Sequence, residues 1–301
     1  MDAVILEGVT KRFNSLVAVD DLHLRVREGA LFGLLGPNGA GKTTTLRMAM
    51  RMLIPDAGAV RIFGQPLDDR AQDLIGYLPE ERGLYPKMKV IQVLVFLGAL
   101  KGLSEAEAGR RALEWLERLE LGPWAGRKIN DLSKGMQQKI QFIAAVLHRP
   151  PLLILDEPFS GLDPLNAALI KDIMLELRAR GATIILSTHR MEQVEMMCDG
   201  ICLIHRGRKV LEGELQAIKR AYGKNTLRMQ YTGDDGFLNH PALIESANHH
   251  GAMVDIRLRA GADPQEILQA ALAGGARITR FELIEPPLND IFIEKVSQPH
   301  A

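Results

Sequence analysis

The chain has 301 residues, 47% hydrophobic and 25% charged, which is enough to bury the core of one large or two ordinary globular domains. Lys and Arg number 37 and Asp and Glu also 37, so the basic excess that neutralises a nucleic-acid backbone is missing and nucleic acid is excluded as an expected partner. The opening "MDAVILEGVT" has an acid where a secretory signal needs positive charge, and no stretch reaches the roughly 18 uninterrupted apolar residues of a spanning helix, so a cytoplasmic location is expected.

In chain order, residues 22–26 ("LHLRV") alternate as a half-exposed strand does, whereas "ALFGLLG" from Ala30 is continuously apolar, as a strand covered on both faces is. Residues 43–53 read as a helix. Between about 85 and 150 the strand signal gives way to helical periodicity. There Ser104 and Glu107 stand at capping-box spacing, Leu113, Leu116 and Leu119 are expected along one buried face, and Trp115 is expected at the core face or its edge. Buried strands are expected again at 152–156 ("LLILD") and 182–188 ("ATIILST"), with a helix between them that opens at Asp163 as N-cap and Pro164 at its first position. This order predicts a parallel, helix-covered α/β sheet with a helical insertion.

After Gly223 the character changes: "TLRMQY", "MVDIRLR" and "RITRFELI" read as strands, and "DPQEILQAAL" and "PPLNDIFIEKV" as helices. We expect a first domain over 1–221 and a small α+β domain over 222–301, the latter with seven Lys/Arg against ten Asp/Glu. Cys198 and Cys202 are too few for a disulfide framework and lack a second Cys/His pair at ligand spacing, so they read as small buried hydrophobes. His249 and His250, in the polar "ESANHHG", read as a solvated loop.

The chemistry concentrates in three stretches. "GPNGAGKTT" runs through Gly36, Pro37, Asn38, Gly39, Ala40, Gly41, Lys42, Thr43 and Thr44, and fits the G-x-x-x-x-G-K-[ST] phosphate loop between a buried strand and a helix. Its glycines let backbone N–H groups turn towards phosphate oxygens, Lys42 brings a cation to the β/γ-phosphates, and the Thr43 hydroxyl suits Mg²⁺. "LLILDEP" ends a strand with Asp156, placed to hold the metal's water shell, and Glu157, placed to polarise a water, a pair that favours hydrolysis over phosphoryl transfer to a substrate. "LSKGM" puts Ser133 at a helix cap and Gly135 beside it, exposing donors at the positive end of that helix.

The order P-loop, "GYLPE", "LSKGM", "LLILDEP", "SGLDP", "STH" resembles the nucleotide-binding subunit of ATP-binding-cassette (ABC) transporters over about residues 1–220. The resemblance implies a P-loop ATPase that binds ATP and Mg²⁺, pairs head to tail with itself or a homologous subunit, and drives an integral membrane permease from the inner face of the cell membrane. It implies that Ser133 and Gly135 close on the partner subunit's ATP, that Asp163 lies at the dimer seam, and that His189 meets the γ-phosphate and helps hold the attacking water. It also implies that Phe13 stacks on adenine. Two departures stand out. Glu80 replaces the family's usual glutamine after "YLP", where a carboxylate suits Mg²⁺ but repels the γ-phosphate, and Lys134 and Met136 replace the usual Gly and Gln of the signature. The ending "EPPLNDIFIEKV" is similar to the tail of single-cassette exporters of the sodium, drug and polysaccharide kind. The alternative is a soluble non-transport ABC ATPase acting on a macromolecular assembly. That class usually carries two cassettes or long coiled coils, and this chain has one cassette and no long heptad run. A plain P-loop kinase or GTPase would leave "LSKGM" and "STH" unexplained.

Overall fold

The computed structural model describes residues 1–68, 70–81, 83–222, 225–259 and 261–297, and the chain divides into two compact units, Met1–Gly213 and Glu214–Ala301. The first opens with a long hairpin of β1 (Asp2–Phe13) and β2 (Leu16–Arg27), followed by β3 (Leu31–Leu35), α1 (Lys42–Ala49), β4 (Ala57–Ile62), β5 (Gln65–Pro66) and β6 (Ile75–Leu78). The helical insertion is α2 (Val90–Leu100), α3 (Glu105–Arg118) and α4 (Lys134–Val146). The unit then runs through β7 (Leu152–Asp156), α5 (Pro164–Ala179), β8 (Thr183–Thr188), α6 (Met191–Glu195), β9 (Gly200–His205) and β10 (Arg208–Glu214).

Two sheets share this unit. One has the order β10-β9-β3-β8-β7-β6, and its β9, β3, β8, β7 and β6 run parallel; the other, β2-β1-β4-β5, is antiparallel, and only residues 22–26 of its β2 are expected as a strand from the sequence. The continuously apolar β3 and β7 are buried at every residue because both faces are covered, the condition their composition predicts. Leu34 of β3, Leu46 and Met48 of α1 and Leu6 of β1 meet in a single apolar cluster between the sheets. The register matters most for function: Leu35 lies beside Thr188, and Asp156 beside Ser187. The carboxyl ends of β3, β7 and β8 are therefore neighbours, and the loops that leave them open at one end of the sheet.

The expected helices are present with adjustments. α1 stops at Ala49 rather than near 53, since Arg51 takes a left-handed φ of 58° that the helix cannot continue through. In α3 the buried stripe runs Ala108, Ala112, Leu116 at i, i+4 spacing, with Leu119 buried at the end. Leu113 falls outside this stripe and is 49% exposed, which corrects its expected place in the core. Ser104 caps α3 through Glu107 N–H, and Trp115 sets its edge against Phe142 of α4, with the Arg118 guanidinium over its ring.

The second unit holds α7 (Leu215–Ala221), β11 (Thr226–Thr232), β12 (Ile244–His250), β13 (Met253–Leu258), α8 (Pro264–Ala273), β14 (Arg277–Ile284) and α9 (Leu288–Ser297). α7 belongs here, although the sequence reading assigned it to the first domain. The strands form an antiparallel sheet, β12-β13-β11-β14, over a core that includes Leu227, Met229, Val254, Ile256 and Ile267. His249 and His250 lie on β12 rather than in a loop, because residues Ser246–His250 of this polar strand pair one by one with β13. Cys198 and Cys202 are buried free thiols whose ionisation burial opposes, and no metal-binding cluster of three His, Cys, Asp or Glu occurs among the described residues.

Candidate nucleotide site

The loop after β3 holds its shape through glycine. Gly36 has φ 152° and an added Cβ would stand 2.2 Å from the Ile204 carbonyl oxygen, while Gly41, the N-cap of α1, has φ 105° and a Cβ there would meet the Ala18 oxygen at 2.5 Å. The loop thus lies against the β9–β10 turn, where Gly207 N–H donates to the Ala40 carbonyl at 2.9 Å. Lys42 opens α1 and is buried, with Nζ donating to the Gly36 oxygen at 2.7 Å and the Pro37 oxygen at 3.1 Å. Burial holds its pKa below the ordinary lysine value, while the charges of Glu157, Asp156 and Glu80 oppose that shift. A cation with three acids around it and only carbonyl partners of its own is poised to take an anion.

Asp156 ends β7 fully buried. Thr43 Oγ1 donates to its Oδ2 at 2.9 Å, and Ser187 of β8 donates to its other oxygen. Glu157 follows in a left-handed conformation, φ 47°, which the N–H bond to the Ser187 carbonyl at 3.0 Å supports and which turns its side chain towards the end of β8. There its Oε1 accepts the His189 backbone N–H at 3.0 Å and lies 2.7 Å from His189 Nδ1, and its Oε2 accepts Thr188 Oγ1 at 3.1 Å. From α4, Gln138 Nε2 donates to the carbonyls of Glu157 and Pro158 at 3.4 and 3.2 Å.

These groups border a cleft of about 720 Å³ whose walls include Phe13, Asn38, Gly39, Lys42, Thr43, Thr44, Glu80, Asp156, Glu157, Arg206 and Gly207. Phe13, 44% exposed, forms part of one wall with its ring 5.8 Å from Lys11 Nζ. His189 joins the site through Glu157. Ser133 and Asp163 do not line the cleft: each caps its own helix, Ser133 Oγ accepting Met136 N–H and Asp163 accepting Asn166 N–H, and both are exposed. Gly135 packs close to the "SGLDP" segment, where an added Cβ would stand 3.1 Å from the Gly161 oxygen. The sequence reading overlooked Ser187, Thr188, Gln138 and Arg206. Ser187 and Thr188 stand inside the "STH" motif, whereas nothing local marks Gln138 or Arg206.

Residues 19–160 match the ABC transporter family, and residues 213–296 match the C-terminal domain of DrrA1-3-like ATP-binding proteins. Over 97% of both chains the protein is 46% identical to the uncharacterized ABC transporter ATP-binding protein YhaQ of Bacillus subtilis (strain 168). The chain belongs to the ABC transporter ATP-binding subunits. It is 42% identical to the Nod factor export ATP-binding protein I of Cupriavidus pinatubonensis (strain JMP 134 / LMG 1197), over 69% of this chain and 65% of that one. Among solved structures it is similar to an ATP-binding subunit of an ABC transporter, with 34% identity and TM-score 0.69 over 73% of this chain and 93% of that chain. A dimeric post-hydrolysis state of the cassette MJ0796 bound to ADP and Pi matches at 27% identity and TM-score 0.65, over 70% and 98% of the two chains. The protein is an ATPase subunit that energises a membrane permease, and cassettes of this family work as dimers with such partners. None of the described helices is long and apolar enough to cross a membrane.

Proposed function

We propose that two copies, or one copy and a homologous subunit, close head to tail around two ATP·Mg²⁺, with each P-loop facing the other subunit's Ser133 and Gly135 and with Asp163 at the seam. The observation that carries this reading is the split between a cleft holding Lys42, Thr43, Asp156 and Glu157 and an exposed signature segment outside it. In this scheme the cleft supplies the cation and the acids, and the anion site at the head of α4 serves the neighbouring molecule.

Within the site, the Gly36–Thr44 loop cradles the phosphates, Lys42 turns from its carbonyl partners to the β/γ-oxygens, and Phe13 stacks on adenine. Thr43, Asp156 and Glu80 offer the hard oxygen ligands that Mg²⁺ takes, and the ion would neutralise charge on the β- and γ-phosphates. Glu157 accepts a proton from the attacking water as its oxygen bonds the γ-phosphorus and ADP leaves, and His189, seated on Glu157, contacts the γ-phosphate. The first unit acts as the cassette and the second as an accessory domain. Export is the direction we infer, because relatives of this chain are named export ATP-binding proteins. The working location is the inner face of the cell membrane, on the permease.

The test mixes two inactive chains. Lys42→Ala lends an intact signature and Ser133→Arg an intact P-loop, so together they rebuild one composite site, and partial recovery of ATP hydrolysis on mixing is expected. Wild-type turnover by Ser133→Arg alone would make the site self-contained and overturn the reading.

A further inference from the structure

We propose that the second unit carries its own homodimerisation edge, in which β14 of one copy pairs antiparallel with β14 of another and the two four-stranded sheets become one of eight. β14 closes the order β12-β13-β11-β14 and pairs with β11 alone, so its outer row of N–H and C=O groups meets no strand among the described residues. Eight residues long, with none fully buried, it is the kind of open edge that invites another strand. Natural edges are often blunted by proline, by charged side chains or by bulges. Here the edge bears a bulge opposite Gln230–Tyr231, but no proline, and its charges are of both signs.

Those charges are arranged to complement themselves. When two copies of "RITRFELI" are laid antiparallel about Phe281, Arg280 stands opposite Glu282, a pair that occurs twice by symmetry, and the bulge at Thr279 confines the regular pairing to the residues from Arg280 onward. Opposite charges facing each other across strands are favourable and like charges unfavourable. Sliding the register by two residues sets Arg280 against Arg280 or Glu282 against Glu282, and sliding by one sets the side chains on the wrong faces. Arg280 and Glu282 are about half exposed and now satisfy each other within the strand, Nη2 to Oε2 at 2.6 Å, so both are free to exchange that contact for its equivalent across the interface. A symmetric pairing of this kind closes on itself as a dimer. The opposite edge, β12, reads "IESANHH" and has no such self-complementary pattern. The interface is separate from the nucleotide-dependent one and requires no ATP.

The test is sedimentation velocity of the full-length chain without nucleotide, up to about 1 mM, the local concentration that tethering two such units supplies. The wild type should form a dimer. Arg280→Glu and Glu282→Arg, both at exposed positions, should each weaken it about tenfold or more, because each sets like charges opposite one another twice. An equimolar mixture of the two should associate again: between a chain with two acids and a chain with two arginines every cross-strand pair is opposite in sign, although the pair within each strand is broken. As an independent reading, a chain with Arg280→Cys should form a disulfide with a chain carrying Glu282→Cys, since the native cysteines are buried and silent. A wild type that stays monomeric throughout, variants that dimerise like the wild type, a mixture that does not recover, or open-ended assembly through β12 would each overturn the proposal.

Discussion

Replacing Glu157 by Gln should separate binding from hydrolysis. In the structure the Glu157 carboxylate has three partners: His189 N–H and Nδ1 on Oε1, and Thr188 Oγ1 on Oε2. A glutamine in the same rotamer keeps an oxygen for His189 and turns an NH₂ group to Thr188, whose hydroxyl can accept as well as donate. At most one hydrogen bond changes, about 1 kcal/mol, so the fold and ATP binding should survive. Proton acceptance is lost altogether, because an amide is not a base at neutral pH. General-base catalysis is worth roughly 10² to 10⁴ in rate, or about 3 to 5 kcal/mol of barrier. Single-turnover phosphate release should therefore slow by that factor while ATP stays bound, and size-exclusion chromatography with ATP·Mg²⁺ should show the closed dimer accumulating. A variant that hydrolyses within about threefold of the wild-type rate would place the base elsewhere.

Lys42→Ala removes the one buried ammonium of the cleft and should weaken ATP binding and lower turnover by at least about 10²-fold, read by equilibrium dialysis and phosphate release. Gly36→Ala forces a Cβ to 2.2 Å from the Ile204 oxygen and should lower Tm sharply, whereas Gly39→Ala, with φ 77° but open space, should cost only about 1 kcal/mol; equal losses would show that the loop yields freely. His148 has both ring nitrogens buried, and burial, aided by the Lys101 charge, pushes its pKa down to about 4. The unfolded chain therefore binds the proton first as pH falls, so the stabilisation is whole above about 6.5 and is lost progressively down to about 4, by up to roughly 3 kcal/mol. His148→Phe should flatten the acid limb of a urea-midpoint profile over that window, and an unchanged limb would assign the loss to other groups.

What the sequence discloses is what the chain decides locally. A glycine loop between an apolar run and a helix, an N-cap followed by proline, and two unbroken apolar strands each need only their own neighbours, and all of them are found where their residues stand. Of the antiparallel sheet only residues 22–26 of β2 read as a strand, because the signal is broken in its partners. Register irregularities interrupt the alternation of β1, and β4 begins with the small residues Ala57, Gly58 and Ala59. β12 is missed for a different reason: at a sheet edge only one residue of its seven is buried, so hydropathy carries almost no trace of pairing. Leu113 shows the limit of periodicity on a helix, where a stripe offset by one position satisfies the same spacing and only packing chooses between them.

The site follows the same division. Lys42, Thr43, Asp156 and Glu157 can be named from short motifs, but their working arrangement rests on one non-local fact, the register that sets Asp156 beside Ser187. Given that pairing, Asp156 receives the Ser187 hydroxyl, Glu157 N–H reaches the Ser187 carbonyl, and the Glu157 side chain meets Thr188 and His189 some thirty positions along the chain. A slip of one residue between β7 and β8 would turn Ser187 to the opposite face and leave the Asp156 oxygen unpaired in a fully buried site, a loss of about 1 to 3 kcal/mol for that group alone. The contacts that position the acids for catalysis are thus the same ones that hold the two strands in register.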